Sequence, residues 1–195
     1  RDRVVIVTGG SMGIGEAISS AFAQSNAHVY VADVNPPSDE PPPNARCVTY
    51  LNCDTASETD CKTVVEKVIQ EQGAVDVLVN NAAIQPPESY QPIDRVSSKT
   101  WQRMIDVNLC GYMRMAAAVL PYMKQQQSGV IINLASGQAH RTAREEGVYG
   151  PIKSANVMQA RQWAVEYARE GIRVVSVSPG AIDTPLVRAT LERQG

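Results

Sequence analysis

The sequence has few cysteines and histidines and no long apolar segment. Its four cysteines lie apart from one another without a C-x-x-C pair, and only two histidines could assist them. This pattern argues against a disulfide framework and a metal site, and it suits a reducing compartment such as the cytoplasm. No apolar run approaches the roughly 18 to 20 residues that cross a bilayer, and no secretory segment is recognisable, so no membrane association is expected.

The chain also lacks a strong charge of either sign. Its 18 lysines and arginines nearly balance 20 aspartates and glutamates, which leaves a formal net charge of −2. Without a basic surface that attracts phosphate backbones, no nucleic-acid partner is expected. Apolar residues make up 44% of the 195 residues, which is enough for a sizeable core. We therefore predict a single domain over residues 1–195.

Short β-branched runs alternate with longer amphipathic segments along the chain. Continuous apolar strands that alternate with helices are typical of a parallel sheet covered on both faces. The sequence therefore predicts a doubly wound, Rossmann-like α/β fold with three layers. Strands are predicted at residues 4–7, 28–31, 47–51, 75–79, 130–134 and 173–177, and helices at residues 14–25, 58–72, 98–126 and 149–170.

Local signals refine the predicted helices and loops. Thr55 and Glu58 fit a T-x-x-E capping box at the start of the second helix. Pro121 is expected to bend or break the long helix of residues 98–126. Residues 35–44 contain five prolines, which exclude an ordinary helix, so a loop-like surface connection is predicted there.

A glycine-rich turn with the spacing T-G-x-x-x-G-x-G joins the first strand to the first helix at residues 8–15. Glycine lets a diphosphate approach the main chain, and the start of a helix offers free N–H groups and positive potential. A plain glycine-rich turn is the alternative, but the strand-turn-helix setting favours a nucleotide site. The candidate contacts in this turn are Gly9, Ser11, Met12, Gly13, Ile14 and Gly15.

An acidic residue, Asp33, ends the second predicted strand, 18 residues after Gly15. A carboxylate there can accept hydrogen bonds from both ribose hydroxyls of an adenosine, and it would repel the extra phosphate of NADP. Neither Met12 nor Val34 supplies the basic side chain that favours NADP. We predict NAD as the cofactor, with a solvated strand-end acid as the alternative interpretation of Asp33.

A Y-x-x-x-K pair, Tyr149 and Lys153, lies at the start of the last predicted helix. Side chains four residues apart share a helix face, so the phenol and the ammonium lie side by side. Tyrosine ordinarily has a pKa of about 10, and a neighbouring lysine cation favours the phenolate and lowers that pKa. Because this pair is common on helix surfaces, its interpretation depends on other residues.

The glycine spacing, the Y-x-x-x-K pair and several further motifs together resemble the short-chain dehydrogenase/reductase family over nearly the whole chain. Residues 80–83 resemble the motif N-N-A-G with Ala83 in place of glycine, and residues 178–184 contain P-G-x-x-x-T. The resemblance implies hydride transfer between a nicotinamide and a secondary alcohol or carbonyl. It implies further cofactor contacts at Cys53, Asp54, Asn80, Ala82, Tyr149, Lys153, Pro179, Gly180, Ile182 and Thr184.

The resemblance also implies four catalytic residues. Tyr149 would transfer the proton, Lys153 would hold the cofactor ribose and tune the phenol, and Ser136 would bind the reacting oxygen. Asn108 lies within a predicted helix, where asparagine is unfavourable, and would position a relay water beside Lys153. An ordinary turn serine and a surface asparagine are the alternatives for the last two.

The substrate pocket is expected to border the segment between Ser136 and Tyr149, with Gln138 and His140 as candidate contacts. The segment is polar, which leans toward a hydroxylated or sugar-like substrate. An ordinary surface loop is the alternative interpretation, since loop residues are usually polar. Further candidates for the pocket wall are Arg141, Arg144, Glu145, Gln85, Pro86 and Pro87.

Family members commonly form homodimers or tetramers through two neighbouring helices. They also continue beyond the P-G-x-x-x-T element with a substrate lid and a seventh strand, and both are expected to be missing from this chain. Two alternatives to a dehydrogenase remain. One is a catalytically weak NAD-binding sensor or scaffold, and the other is an enzyme that uses bound NAD for epimerisation or dehydration. The candidate apolar contacts for an oligomer are Trp101, Met113, Met115, Trp163 and Tyr167.

Overall fold

The computed structural model describes residues 2–36, 47–184 and 188. These residues form a six-stranded sheet with the order β3-β2-β1-β4-β5-β6, in which every neighbouring pair is parallel. The sheet is wound in two directions from its centre, which confirms the predicted doubly wound, Rossmann-like α/β fold. The strands are β1 (Val4–Thr8), β2 (His28–Asp33), β3 (Val48–Asn52), β4 (Val77–Asn80), β5 (Gly129–Leu134) and β6 (Ile172–Val177).

Helices cover both faces of this sheet and give it three layers. One face packs against α1, and the opposite face packs against α2, α4 and α5. Across residues 2–36 and 47–184, no helix combines the length and the apolarity of a membrane span. The helices are α1 (Gly13–Gln24), α2 (Glu58–Gln72), α3 (Ser98–Ile105), α4 (Gly111–Gln126) and α5 (Tyr149–Tyr167).

The central strand β1 shows why its sequence is a continuous apolar run. Val5 and Val7 pack toward α1, whereas Val4 and Ile6 pack toward the helices of the opposite face. All four side chains are buried. A strand with helices on both sides has no polar face, so the alternation typical of half-exposed strands is absent.

The capping box predicted from Thr55 and Glu58 is wrong. Ser57 is the N-cap of α2, and its hydroxyl accepts a hydrogen bond from the Asp60 main-chain N–H at 3.2 Å. Thr55 is buried and packs against Gly111 at the start of α4. Thr55 is therefore unavailable to cap α2, and the neighbouring hydroxyl of Ser57 takes that role.

The long predicted helix is interrupted at a π-helical turn, Asp106–Cys110, and α4 continues through Pro121 without a break. Pro121 lacks the N–H that would bond to Ala117, but both residues are exposed, so water can satisfy the carbonyl group. The regular α-helix is therefore interrupted at Asp106–Cys110, near the candidate site, and not at Pro121. The proline-rich segment at residues 37–46 and the end of the chain lie outside the described residues.

Candidate active site

Two adjoining cavities lie at the carboxyl-terminal edge of the sheet. The first cavity has a volume of about 330 Å³ and extends from the glycine-rich turn past the ends of β2 and β4 to α5. The second cavity has a volume of about 260 Å³ and lies between the segments that follow β4, β5 and β6. Tyr149 is in the wall of both cavities, so its side chain lies where they meet. The other shared residues are Ile14, Ala135, Pro179 and Thr184.

The start of α1 faces the first cavity. Gly9 and Gly13 have φ angles of +63° and +58°, which glycine adopts without strain. A Cβ on Gly9 would lie 2.7 Å from the Ala82 Cα, so the ends of β1 and β4 approach too closely for a side chain. Met12 caps α1 without a side-chain hydrogen bond, which leaves N–H groups at the helix start for an anion.

Two predicted residues of this turn, Ser11 and Gly15, support the wall of the first cavity from behind. The Ser11 N–H donates to Asp33 at 3.0 Å, and the Ser11 hydroxyl donates to the Asn35 carbonyl at 3.1 Å. A Cβ on Gly15 would overlap the Gly9 carbonyl oxygen. Both residues therefore shape the turn without lining the cavity.

Two carboxylates predicted at the adenosine end line the first cavity. Asp33 is 8% exposed and accepts hydrogen bonds from the main-chain N–H groups of Ser11 at 3.0 Å and Asn35 at 2.9 Å. Asp54 forms an ion pair of 2.9 Å with Arg103 of α3, which also lines the cavity. The carboxylate of Asp33 is thus fixed at the end of β2 by main-chain N–H groups, whereas the carboxylate of Asp54 after β3 is paired with an arginine.

The end of β4 contributes Ala82 and Ala83 to the first cavity. Ala83 does not have a positive φ, so its methyl group in place of the usual glycine needs no strained backbone. Asn80 is fully buried beneath the cavity, where its amide donates to Asn133 at 3.0 Å. Of the other predicted cofactor contacts, the first cavity is lined by Cys53, Lys153, Pro179 and Thr184, whereas Gly180 and Ile182 line the second cavity.

Three of the predicted catalytic side chains converge where the cavities meet. Tyr149 and Ser136 line the second cavity together, and the Ser136 hydroxyl lowers the pKa of Tyr149. The Lys153 Nζ lies 5.6 Å from the centre of the Tyr149 ring and 5.4 Å from that of Tyr112. It donates to the Leu134 carbonyl at 2.8 Å and to the Tyr112 hydroxyl at 3.3 Å. The ammonium is therefore held beneath the phenol and is only 2% exposed.

Burial controls the charges of this pair. It raises the pKa of Tyr149 to about 12, with smaller increases from Glu146 and Tyr90 and a decrease from the Ser136 hydrogen bond. Burial also lowers the pKa of Lys153 to about 7. The pKa of Tyr149 is therefore raised, and not lowered as the neighbouring lysine predicts, because desolvation of the phenolate is its largest cause. Tyr149 is protonated at neutral pH and can act as a proton donor.

Asn108 lies in the π-helical turn and is completely buried. Its side chain accepts from the Ile84 N–H and donates to the Ile84 carbonyl, both at 2.8 Å. Its main-chain carbonyl accepts a hydrogen bond from Asn156 at 3.0 Å. The residue thus attaches the segment after β4, which lines the first cavity, to the helical layer.

The second cavity is lined by Ser136, Gln138 and Tyr149 of the four predicted substrate contacts. His140 lies outside this wall, and its imidazole Nε2 lies 3.1 Å from the Ser178 hydroxyl. Gln85 and Arg141 line the cavity as expected, whereas Pro86, Pro87, Arg144 and Glu145 do not.

The comparison with protein families identifies the family of this chain. The model of the short chain dehydrogenase family matches residues 3–195. The chain belongs to this family. It is 33% identical over 193 residues to the 2,5-dichloro-2,5-cyclohexadiene-1,4-diol dehydrogenase of Sphingobium indicum, with 97% of the chain and 76% of that relative covered. The ligand-free aldohexose dehydrogenase of Thermoplasma acidophilum superposes with a TM-score of 0.91 at 34% identity, which covers 100% of this chain and 72% of that one.

Members of the short-chain dehydrogenase family are oxidoreductases that use nicotinamide cofactors. Solved relatives include one complex with NADH and one with NADP. A 3-ketoacyl-(acyl-carrier-protein) reductase from Brucella melitensis is complexed with NADH. It superposes with a TM-score of 0.88 at 29% identity, and the match covers 95% of this chain and 78% of the reductase chain. ElxO has NADP bound. It superposes with a TM-score of 0.90 at 25% identity, and the match covers 100% of this chain and 79% of the ElxO chain. Membership of the family therefore establishes the cofactor class and leaves the choice between NAD and NADP to this chain's own residues.

Several residues of the dehydrogenase site were missed by sequence reasoning. Arg103, Tyr112 and Asn156 lie on helices with no local motif, and only packing brings them to the site. Tyr90 and Glu146 line the second cavity. The Glu146 carbonyl accepts from the Gly150 N–H at the start of α5, so its place one turn before Tyr149 was a usable signal.

Proposed function

We propose that this dehydrogenase interconverts a secondary alcohol and its carbonyl compound, with NAD(H) as cofactor and Asn108, Ser136, Tyr149 and Lys153 as its catalytic set. The observation that carries the proposal is the place of Tyr149 at the junction of the two cavities, with Ser136 beside it in the wall of the second cavity and Lys153 beneath its ring. A cofactor in one cavity and a substrate in the other would meet at this phenol.

The first cavity suits a dinucleotide. Its volume of about 330 Å³ lies within the range of about 300 to 1,000 Å³ typical of ligand pockets. It has a glycine at which a side chain would clash, Gly9, and the open start of α1 for phosphates. The carboxylate of Asp33 lies toward one end and the Lys153 ammonium toward the other. When bound, the nicotinamide would supply the hydride acceptor or donor.

The four catalytic side chains have different tasks in this proposal. Ser136 holds the reacting oxygen, and Tyr149 donates its phenolic proton in reduction or accepts a proton in oxidation. Lys153 holds the ribose and, when protonated, stabilises the phenolate. Asn108 keeps the segment after β4 in place and belongs to the water relay that returns protons to Lys153.

Replacement of Tyr149 by phenylalanine tests the catalytic assignment. Y149F should lose at least about 100-fold in kcat because it removes the transferred proton, whereas the affinity for NAD should stay within about twofold. Y167F, the same change at the other end of α5, should keep the wild-type rate. Near-normal turnover by Y149F would refute the assignment. Binding of NAD without turnover of any alcohol by the wild type would instead favour an NAD-binding sensor.

The preference for NAD rests on the fixed carboxylate of Asp33. A phosphate on the adenosine ribose would meet a negative charge that two main-chain N–H groups hold in place. D33N should therefore lower the ratio of kcat/KM for NAD to that for NADP by about tenfold or more. D54N should leave this ratio unchanged, because adenine is common to both cofactors. A wild type that prefers NADP would overturn the proposal.

We also propose that the chain forms a homo-oligomer, a dimer or a tetramer, through α4 and α5. Met113 of α4 and Met158 and Val165 of α5 are 43%, 58% and 80% exposed, which leaves apolar surface on both helices. Met115 is buried in the core and cannot contribute. Light scattering after gel filtration should show a mass of at least two chains, which V165E should reduce; a monomeric wild type would refute the proposal.

A further inference from the structure

We propose that the second cavity selects substrates with a further hydroxyl group next to the reacting carbon, and that Glu146 recognises this hydroxyl. The substrate class is therefore a vicinal diol, such as a polyol or a sugar. This inference rests on the proposed function, since it takes Tyr149 and Ser136 as the groups that bind the reacting oxygen.

Glu146 is held in the wall of the second cavity directly before the catalytic helix. Its main-chain carbonyl accepts a hydrogen bond from Gly150 at 3.3 Å, which places the residue one turn before Tyr149. The Gln85 side-chain amide donates to its Oε2 at 2.7 Å and orients the carboxylate. None of the described residues donates to the other oxygen of Glu146, so one acceptor remains for a ligand.

A second unused acceptor lies in the same wall. The Oε1 of Gln138 is buried and has no hydrogen-bond partner among the described residues, and Gln138 lines the second cavity with Glu146. Buried acceptors without donors are unfavourable, and most are satisfied in folded proteins or by their ligands. The wall of the second cavity thus contains the free carboxylate oxygen of Glu146 and, buried behind the surface, an unsatisfied acceptor of Gln138.

A ligand that matches these acceptors must bring hydroxyl or amino donors. A simple ketone or an acyl thioester offers only acceptors near the carbonyl group and would leave Glu146 unsatisfied. A phosphate or carboxylate beside the reacting carbon would be repelled by Glu146. A neutral vicinal hydroxyl donates to the carboxylate without repulsion, and hydrogen bonds to charged acceptors are the stronger ones.

Burial raises the pKa of Glu146, and the Gln85 hydrogen bond acts in the opposite direction. Glu146 in turn helps to raise the pKa of Tyr149, and the two residues line the same cavity. A hydroxyl on the carbon next to the reacting one would lie between them.

The experiment compares two alcohols that differ by one hydroxyl group, cis-1,2-cyclohexanediol and cyclohexanol, with NAD⁺ as acceptor. The wild type should have a kcat/KM at least about tenfold higher for the diol, and in E146Q the ratio of the two kcat/KM values, diol to cyclohexanol, should fall to about one. E145Q is the matched control, because Glu145 is adjacent, equally charged and absent from the cavity wall. A preference that E146Q retains, or a wild type without preference, would overturn the inference.

Equilibrium binding separates this inference from the proposed reaction. Y149F, saturated with NADH, should bind the diol at least about tenfold more tightly than cyclohexanol, and Y149F/E146Q should bind the two equally. This measurement needs no turnover, so it decides the role of Glu146 even where the wild type oxidises neither alcohol and the proposed function fails. Equal binding of the two alcohols by Y149F would overturn the role of Glu146 and leave the dehydrogenase assignment intact.

Discussion

Replacement of Gly15 by alanine tests how the glycine-rich turn is built. Gly15 lies in the first turn of α1, behind the wall of the first cavity. A Cβ there would overlap the Gly9 carbonyl oxygen and would lie 2.5 Å from the Asn81 Nδ2 and 2.9 Å from the Gly10 Cα. Two of these neighbours are main-chain atoms, so relief requires the whole turn to move away from α1.

The expected loss of stability follows from three contributions. Overpacking of this kind costs about 1 to 3 kcal/mol. The hydrogen bond from Asn81 to the Gly9 carbonyl, 2.8 Å long, would be broken or lengthened at a cost of about 1 kcal/mol. Alanine offsets about 1 kcal/mol because it favours a helix more than glycine does. The net loss is about 1 to 3 kcal/mol, which lowers the Tm by roughly 3 to 10 °C for a chain of this size.

Urea unfolding followed by tryptophan fluorescence measures this change, and an NAD titration measures its effect on the first cavity. G15A should be less stable and should bind NAD more weakly, because Gly9 and Asn81 line that cavity. G180A is the control for stability, since a Cβ on Gly180 would meet nothing within 4 Å. The reasoning is refuted if G15A keeps the wild-type free energy of unfolding within about 0.5 kcal/mol and binds NAD normally.

The remaining predictions concern α2, α5 and the lysine. Unfolded Lys153 holds its proton up to its ordinary pKa of 10.5, but native Lys153 releases it near 7, so stability should rise with pH between these values by up to about 1 kcal/mol per unit. K153M should lack this slope in urea unfolding at several pH values, and an equal slope would contradict the assigned burial effect. S57A removes the N-cap of α2 and should lower the free energy of unfolding by about 1 kcal/mol. An unchanged urea midpoint would show that Ser57 does not cap this helix. N156L leaves the Asn108 carbonyl without its donor and should lose about 1 to 3 kcal/mol by the same assay; wild-type stability would show that water replaces the amide.

The sequence by itself determined the layers of the fold and the place of the site. Apolar runs at β1, β4 and β5 predict strands buried on both faces, and parallel strands present their carboxyl ends at one edge. The turn that holds Gly9 and the pair Tyr149 and Lys153 follow from local spacing, since a helix places residues four apart on one face. These features depend on neighbours in the chain, which a sequence displays directly.

The tertiary structure alone decided which of several equivalent side chains takes each role. Thr55 and Ser57 both carry a hydroxyl near the start of α2, and packing of Thr55 against Gly111 leaves the cap to Ser57. His140 and Glu146 both lie in the segment before α5, yet contact with Ser178 removes the imidazole from the second cavity.

The charge of Lys153 was decided in the same way. A pair on a helix surface would be solvated, but the layer formed by β5 and α4 encloses this ammonium and lowers its pKa. Side-chain partners and burial depend on distances between segments far apart in the chain. Those distances exist only once the layers have packed, so no local pattern could predict them.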